Sequence, residues 1–406
     1  MGEIRFFHVA DVHLDSPFKG VYGLSEQAAA ELRESTFVAF ERIITYALEV
    51  KPDFILLVGD LYDGENRSLK AQRRFQESME RLFEANIPVV LSYGNHDHLS
   101  GQWTRFSLPS NVIVLPQETS VVQLKIRGQE VKIYGFSYPE RHVKEPVIQT
   151  YPVAEDHSTL HIGMLHGSVA GDSAHAVYAP FTKEELLSKG YDYWALGHIH
   201  LRQHLHENPP IVYPGNIQSR HRNEQGVKGF YDVQLLKGQA VLNFVRTSAI
   251  VYEMIEVDCT GFVHANELLA ACEEAIEECR MRVGALVADL KLISRDQESQ
   301  ELIESASIKG WLDAVREVET MRHPFTWVQS LTIETKRLEE YVPTAVTESV
   351  LAVLDEWRQA DWKDVLKDLY QHTSSSRFLD HLSLQDIEQM KKEAQQLFKN
   401  EMSKQG

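Results

Sequence analysis

Five short segments of the sequence carry aspartate, asparagine or histidine directly after, or at the end of, apolar runs. They are Asp11-Val12-His13, Gly59-Asp60, Gly94-Asn95-His96-Asp97, His166-Gly167 and Gly197-His198-Ile199-His200. Carboxylate, amide oxygen and imidazole groups bind hard and borderline divalent cations. This mixed donor set suits Mn²⁺ or Fe²⁺ better than a thiolate-bound Zn²⁺. The sequence therefore predicts a metal site assembled from segments that lie far apart in the chain.

Each segment taken alone has an ordinary structural interpretation. An Asp-x-His at a strand end is usually a cap, a Gly-Asp pair is common in turns, and a single histidine is often a packed core residue. All five segments together, in this order and each after a strand, are hard to obtain by chance. The complete set therefore favours the metal site.

The elements that must position these residues alternate between strands and helices. Apolar runs predict strands over residues 4–9, 54–58, 89–92, 131–136, 160–165 and 193–196. An apolar stripe from Phe37 to Leu48 and a stretch over 69–84 predict helices between them. Such alternation is typical of a layered α/β domain, in which sites form beyond the carboxyl ends of the strands. The ligand-bearing segments follow those ends.

The pattern changes near residue 250, which predicts three regions. Residues 1–250 form the layered domain. Residues 251–338 form a small α+β module, with strands over 251–257, 285–293 and 326–335 and helices over 263–280 and 297–318. Residues 339–406 are wholly helical, with a break at 373–376 and a final helix that begins at Ser383.

The ligand-bearing segments resemble those of the calcineurin-like metallophosphoesterase superfamily. Val9-Ala10-Asp11-Val12-His13-Leu14-Asp15 and Leu57-Val58-Gly59-Asp60-Leu61-Tyr62-Asp63 are similar to the SbcD-type DNA-repair exonucleases, and within that branch to the YhaO-like exonuclease family. The resemblance implies an α/β metallophosphoesterase sandwich of two sheets flanked by helices. A small α+β capping domain and C-terminal helices would follow it.

The resemblance also implies a centre with two divalent metal ions. The expected ligands are, for one ion, Asp11, His13 and His200, and for the other, Asn95, His166 and His198, with Asp60 bridging both. Mn²⁺ is the expected metal, with Fe²⁺ and Mg²⁺ as alternatives. Two cations about 3.5–4 Å apart need a shared anionic bridge and can activate a water for attack on phosphorus.

His96 lies beside a ligand but is not counted as one. Because an imidazole can transfer a proton near neutral pH, His96 is the candidate to protonate the leaving oxygen or to stabilise the transition state. Asp97 either orients that imidazole or caps a turn, and the sequence leaves both interpretations open. Asp63 stands where some family members have a second histidine. Asn216 follows Tyr213-Pro214-Gly215, where the family commonly has a serine. A carboxylate at position 63 cannot donate a proton as an imidazolium would.

Charge limits how such an enzyme could hold a substrate. The chain has 41 Lys and Arg against 59 Asp and Glu, a formal net charge of −18, which argues against a broad basic surface for nucleic acid. Basic residues near the ligand segments predict a local rim that contacts phosphates, formed by Arg141, Lys144, Arg220 and Arg222. The alternative is that they are charged loop residues in water.

The sequence is compatible with three functions. The favoured one is a metal-dependent DNA exonuclease, also with endonuclease activity, that works in DNA repair. The second is a phosphodiesterase or phosphatase for nucleotides or another non-DNA phosphoester, which would not need the region after residue 250. The third is a regulatory scaffold with a decayed site, which the complete ligand set disfavours.

The remaining features concern partners and location. The helices of residues 339–406 have large apolar faces, and the resemblance implies docking onto the coiled coil of an SMC-like ATPase subunit. Folding back onto the capping domain and homodimer formation are the alternatives. No apolar run approaches the roughly 20 residues of a membrane span, and no signal peptide is recognised. Three cysteines away from the histidines, Cys259, Cys272 and Cys279, suit a cytoplasmic protein.

Overall fold

The structure is a computed structural model of the 406-residue chain. It describes residues 2–18, 21, 23–64, 68–100, 106–156, 158–171, 178–319, 322–335, 352 and 387–395. The strands in these ranges form two six-stranded sheets and one three-stranded sheet. Helices flank the sheets, so the predicted layered α/β architecture is confirmed.

The first sheet follows the predicted alternation of strands and helices. Its strands are β1 (Ile4–Ala10), β2 (Phe54–Val58), β3 (Val89–Ser92), β4 (Val112–Val114), β11 (Gly229–Leu236) and β12 (Gln239–Arg246). Their spatial order is β12-β11-β1-β2-β3-β4, with β1 to β4 parallel and β11 antiparallel to both of its neighbours. Helices α1 (Glu26–Val50) and α2 (Leu69–Glu84) connect β1, β2 and β3. The carboxyl ends of these three strands therefore meet at one edge.

Both helices begin at a serine that caps the first turn. The hydroxyl oxygens of Ser25 and Ser68 accept hydrogen bonds from backbone N–H groups three residues further on, at 3.2 and 3.0 Å. Such caps satisfy N–H groups that the first helical turn leaves without a partner. The predicted stripe of α1, including Phe37, Phe40 and Ile44, is buried against the outer face of the first sheet.

The second sheet completes the sandwich. Its strands are β5 (Ser120–Ile126), β6 (Gln129–Gly135), β7 (Leu160–His166), β8 (Tyr193–Gly197), β9 (Gln203–Glu207) and β10 (Pro210–Tyr213), in the order β5-β6-β7-β8-β10-β9. The inner strands are parallel, and the edge strands β5 and β9 are antiparallel to their neighbours. A short helix, α3 (Lys183–Ser188), precedes β8. Phe6 and Phe54 of the first sheet pack with Ile162 and Tyr193 of the second in a fully buried core.

The third sheet lies in the region after residue 250. Its strands β13 (Val251–Asp258), β14 (Leu286–Ser294) and β15 (Thr326–Thr335) are parallel, with α4 (Ala265–Val283), α5 (Gln297–Glu304) and α6 (Ile308–Glu319) between them in the chain. The single helix predicted over 297–318 is wrong, because two helices occupy that range. Ser305 ends the first by hydrogen bonding to Leu302, and the Ser307 hydroxyl accepts from Gly310 at the start of the second.

A hydrophobic cluster attaches the third sheet to the sandwich. Leu32 of α1 packs there with Ile250, Tyr252 and Val287, and Trp327 of β15 lies against them. Of the predicted C-terminal helical region, residues 352 and 387–395 are described and helical, while the break at 373–376 and the helix start at Ser383 lie outside the described residues. No helix in the described ranges combines the length and the apolar character needed to cross a membrane.

Candidate metal centre

The two sheets bring the predicted ligand segments together at one edge of the sandwich. β1, β2 and β7 end directly before or at Asp11, Gly59-Asp60 and His166, and β8 ends before His198. Four of the candidate ligands have a positive φ, namely Asp11 at 50°, His13 at 45°, Asp60 at 49° and His198 at 98°. A non-glycine residue in this conformation costs on the order of 1–3 kcal/mol. The chain thus turns sharply at the strand ends and directs these side chains into one cluster.

Two groups of donor atoms can be distinguished in the cluster. In the first, His13 Nε2 and His200 Nε2 are 3.1 Å apart, and Asp11 Oδ1 is 3.9 Å from the latter. In the second, Asn95 Oδ1 lies 3.0 Å from His166 Nε2 and 3.2 Å from His198 Nδ1. The two groups correspond to the ligand sets expected from the resemblance, and Asp11 Oδ1 also lies 3.9 Å from His166 Nδ1, so this carboxylate is near histidines of both groups.

The carboxylate of Asp60 lies between the two groups. Its Oδ2 atom is 3.7 Å from His13 Nε2 in the first group and 3.4 Å from His166 Nε2 in the second. The other oxygen, Oδ1, accepts a hydrogen bond from the backbone N–H of His96 at 2.9 Å, which fixes the carboxylate. This is the position that a bridging ligand requires.

The donor atoms fit divalent cations. Distances near 3 Å between donors are roughly the edge formed by two ligands about 2.1 Å from one ion at a right angle. Asp11, His13, Asp60, Asn95 and His166 are each at most 4% exposed. Two carboxylates buried this deeply need compensating positive charge. The division of the ligands between two ions stays a prediction, and the cluster has the donors, spacing and charge that it requires.

Electrostatics in the cluster couple ligand protonation to metal binding. Burial raises the pKa of Asp11 to about 6 and lowers the pKa of His13 to about 3. Burial alone would also lower the pKa of His166, but the charge and hydrogen bond of Asp60 raise it to about 9. A cation must compete with a proton at His166, so metal loading releases protons and is weaker at low pH.

Glycines leave room for the ligands to converge. A Cβ atom on Gly59, which has a φ of 72°, would lie 2.0 Å from His166 Nδ1. A Cβ on Gly94 would lie 2.3 Å from Asp60 Oδ1. Both contacts are far shorter than van der Waals separation, so a larger residue at either position would displace a ligand.

His96 lies at the mouth of the cluster. Its side chain is 29% exposed, and its ring packs edge-on against that of His13 with centroids 5.2 Å apart. Its Nδ1 atom is 3.4 Å from the Asp63 carboxylate. Burial lowers the pKa of His96, while the nearby Asp60 and Asp63 charges oppose that shift. His96 is therefore an accessible imidazole between the ligands and solvent.

The Asp97 carboxylate binds backbone N–H groups in the structure. Its carboxylate accepts hydrogen bonds from the N–H groups of Gly94 at 2.6 Å, Leu61 at 2.7 Å and Tyr62 at 3.4 Å. These contacts are those of the turn cap, the second of the two interpretations. They tie the loop after β3 to the loop after β2 and so hold Asn95 and Asp60 near each other. The carboxylate that lies beside the His96 ring belongs to Asp63.

Two further acidic residues surround the first donor group. Glu224 Oε1 is 2.6 Å from His200 Nδ1, and Asp63 Oδ1 is 3.6 Å from His13 Nδ1. Sequence reasoning missed Glu224 and noted Asp63 only as a departure from the family pattern. The one hint in the sequence was the departure from the family pattern at Asn216, whose side-chain amide donates a hydrogen bond to Glu224 at 2.8 Å.

The predicted basic rim is only partly formed. Arg141 and Lys144 are exposed, and Val143 between them accepts a hydrogen bond from the N–H of Ala179. That contact joins their loop to Tyr178, whose ring is stacked on His142 at 5.6 Å and lies 4.9 Å from the ring of His198. These two cations therefore lie on a loop beside the cluster.

The two other predicted cations are engaged in ion pairs. Arg220 is directed inward, with a side chain only 15% exposed and Nη1 at 2.9 Å from Asp63. Its assignment to an exposed rim needs correction, because buried carboxylates draw the guanidinium into the protein. Arg222 is about half exposed and pairs with Asp289 of β14 at 3.5 Å.

Comparison with known proteins gives matches over both regions. A model of the calcineurin-like phosphoesterase family matches residues 4–202, and one described as metallophosphoesterase YhaO, middle domain, matches residues 252–336. A protein of Bacillus subtilis (strain 168) described as an uncharacterized metallophosphoesterase YhaO is 36% identical over 408 residues, 98% of each chain.

More distant similarities cover about two thirds of the chain. A DNA double-strand break repair protein Mre11 of Methanocaldococcus jannaschii is 26% identical over 276 residues, which are 65% of this chain and 69% of that protein. The crystal structure of a dimetal phosphatase from Danio rerio matches at 12% identity with a TM-score of 0.36, covering 62% of this chain and 99% of its own.

Proposed function

This chain belongs to the calcineurin-like phosphoesterases and is a member of the YhaO branch, and we propose that it is a metal-dependent DNA nuclease. Membership of the family makes it a phosphoester hydrolase. The observation that carries the proposal is the convergence of six metal-ligand side chains from both sheets around the seventh, Asp60. DNA as substrate is supported by relatives named for double-strand break repair, at 26% identity over 276 and 318 residues.

In this proposal the ligand side chains would hold two divalent ions. Asp11, His13 and His200 form one set and Asn95, His166 and His198 the other, with Asp60 shared between them. When bound, two divalent ions, Mn²⁺ in our proposal, supply positive charge to the phosphate and acidify a water for in-line attack. Because the carboxylates are almost completely buried, this positive charge would lie in a medium of low dielectric constant, where electrostatic interactions are stronger than in water.

The remaining residues of the site act on the substrate and the leaving group. His96 faces the mouth of the cluster, where a proton on its ring can reach the leaving oxygen. Asp63, 3.4 Å from Nδ1, favours the protonated ring and orients it. Arg141 and Lys144 on the adjacent loop would contact phosphates, and the stacked pair His142 and Tyr178 offers a flat surface for a nucleobase.

The test is cleavage of end-labelled single- and double-stranded DNA with Mn²⁺ after removal of bound metal. We expect wild type to shorten the DNA, Asp60→Asn to be inactive, and His96→Ala to lose about 10²–10⁴-fold in rate, as is typical for loss of a general acid. His264→Ala is the matched control, because His264 is exposed on the third-sheet region.

A different outcome would redirect the substrate assignment. Hydrolysis of bis-p-nitrophenyl phosphate that depends on Asp60, without cleavage of any DNA, would refute the nuclease and favour a phosphodiesterase for nucleotides or another small phosphoester. Restoration of activity by Mg²⁺ but not by Mn²⁺ would contradict the metal assignment. Activity in Asp60→Asn equal to that of wild type would contradict the site itself.

The proposal includes a partner for DNA repair in the cytoplasm. The helical pattern of residues 339–406 in the sequence supports docking onto the coiled coil of an SMC-like ATPase. That partner would supply the affinity for DNA that a chain with a net charge of −18 lacks. We expect the full chain to co-purify with such an ATPase and a chain ending at residue 338 not to do so. Retention by the shortened chain would contradict this docking site.

A further inference from the structure

Both histidines of the first donor group have a carboxylate behind them. The Nε2 atoms of His13 and His200 face each other at 3.1 Å, so the Nδ1 atoms point away from the shared donor position. Glu224 Oε1 lies 2.6 Å from Nδ1 of His200, and Asp63 Oδ1 lies 3.6 Å from Nδ1 of His13. A carboxylate at this place fixes the tautomer and orientation of a metal-binding imidazole and raises its basicity.

The two carboxylates act differently on their histidines. The contact of Glu224 is a short hydrogen bond. The contact of Asp63 is longer than a hydrogen bond, and it acts mainly through charge on a buried ring whose Nδ1 has no hydrogen-bond partner in the described structure. The shorter contact should therefore have the larger effect on its ligand.

Arg220 connects the two carboxylates. Its Nη1 atom is 2.9 Å from Asp63 Oδ1, and its backbone N–H donates to Glu224 Oε2 at 2.6 Å. Ser16 donates to the other oxygen of Asp63 at 2.9 Å, and Asn216 donates to Glu224 at 2.8 Å. The side chains of Asp63, Arg220 and Glu224 are only 16%, 15% and 6% exposed. Each carboxylate is thus held by several donors and has little freedom to move away from its histidine.

The second donor group shows a different arrangement at His166. There, Nδ1 of His166 lies 3.3 Å from the neutral backbone carbonyl oxygen of Val58, and the carboxylate near it, Asp11 Oδ1 at 3.9 Å, belongs to a candidate metal ligand and not to an outer residue. An anionic acceptor raises the basicity of an imidazole more than a neutral one does, because the imidazole N–H carries partial positive charge. Asp63 and Glu224 should therefore affect the affinity for the metal ion of the first donor group more than the affinity for the other ion.

We propose that Asp63, Arg220 and Glu224 are positioning residues for the metal ion held by Asp11, His13 and His200, and that they set its affinity without contacting it. The inference rests on the two-metal centre of the proposed function. It explains why a carboxylate occupies position 63, since Asp63 both faces His13 and pairs with Arg220. It also assigns a role to Asn216, which anchors Glu224.

The test measures Mn²⁺ binding to the full chain by titration calorimetry, with metal content per chain determined independently after gel filtration. We expect wild type to bind two ions. Glu224→Gln keeps the size of the side chain but removes its charge, and we expect one of the two ions to bind about 10–100-fold more weakly. Asp63→Asn should weaken the same ion by a smaller factor, and Glu207→Gln, a change at a side chain that is 86% exposed, should change neither.

Charge and structure are separated by two further variants. Glu224→Asp retains the charge and should recover part of the affinity, and Arg220→Lys retains a cation beside Asp63 and should weaken the same ion less than Glu224→Gln does. Thermal unfolding in EDTA shows whether each variant is folded, and if Glu224→Gln is not, Asp63→Asn decides the question. Unchanged affinity for both ions in the folded charge-removing variants, or equal weakening of both ions, would overturn the inference and leave the nuclease proposal intact. Wild type that binds no Mn²⁺ would overturn both.

Discussion

Replacement of Gly59 by alanine tests whether the turn after β2 is shaped by the need to admit His166. The residue has a φ of 72°, and a Cβ atom there would lie 2.0 Å from His166 Nδ1. The backbone conformation alone costs an alanine about 1–2 kcal/mol. The collision adds about 1–3 kcal/mol of overpacking unless the imidazole moves by on the order of 1 Å.

Gly128→Ala is the matched control. Gly128 has a φ of 85° in the turn between β5 and β6, and its Cβ would meet no atom within 4 Å. Both variants are therefore destabilised by the positive φ of the alanine, and only Gly59→Ala displaces a candidate ligand. A displacement of 1 Å in a reacting centre can reduce the rate about 10²-fold.

The assay combines urea unfolding with hydrolysis of bis-p-nitrophenyl phosphate in Mn²⁺. We expect Gly128→Ala to be about 1–2 kcal/mol less stable than wild type and, under conditions where it is folded, to keep full activity. Gly59→Ala should be less stable than that and about 10²-fold less active. Equal activity of the two variants would refute the reasoning, since His166 would then tolerate the displacement or would not be a ligand.

Three further predictions concern other parts of the molecule. Replacing Asp97 with alanine leaves several buried N–H groups without an acceptor and should lower the free energy of unfolding by about 3 kcal/mol in urea titrations; a loss below 1 kcal/mol would contradict the cap. Burial lowers the pKa of His8 to about 3, so between pH 6.5 and 3 the unfolded chain binds the extra proton and stability falls as pH decreases. Between pH 7.5 and 5.0 wild type should lose about 2 kcal/mol more than His8→Gln, and equal losses would show that His8 is not buried in its neutral form. Arg141→Gln combined with Lys144→Gln should weaken DNA binding and reduce the slope of log K against log salt by about 2, with bis-p-nitrophenyl phosphate hydrolysis unchanged; an unchanged slope would remove this loop from the DNA path.

The candidate ligands could be predicted from the sequence because their positions follow a simple structural rule. β1, β2 and β3 are buried on both faces and therefore appear as continuous apolar runs. Polar metal-binding residues directly after such runs have few alternative roles as a set. Parallel pairing then brings the ends of these strands together whatever their separation along the chain.

The residues around the ligands follow no such rule. Arg220 and Asp63 are 157 positions apart, and the segment that carries Arg220 and Glu224 has no strand or helix pattern to place it. A single Glu among 59 acidic residues cannot be distinguished by type or spacing. Contacts of this kind depend on loops whose course is set by tertiary packing.

The same reasoning explains why β5 and β12 were not predicted. β5 and β12 are edge strands that alternate between partly buried and exposed residues, and neither contains a fully buried residue. Such strands are defined by pairing with a neighbour more than by their own sequence. The helix predicted over 297–318 had a sustained apolar period, and only the local hydrogen bonds of Ser305 and Ser307 divide it.

The charge of the third-sheet region limits how DNA could approach the metal centre. Residues 251–335 carry 17 Asp and Glu against 7 Lys and Arg, which is more than half of the net charge of the chain. A phosphate backbone would be repelled by that surface, so this region can shape access only by steric exclusion or by binding another protein. The cluster of Leu32, Tyr252 and Trp327 fixes it to the sandwich near the loop that follows His13. For the proposed nuclease we therefore expect DNA to approach the cluster along the side of the Arg141 and Lys144 loop, which the paired glutamine variant at these two positions tests.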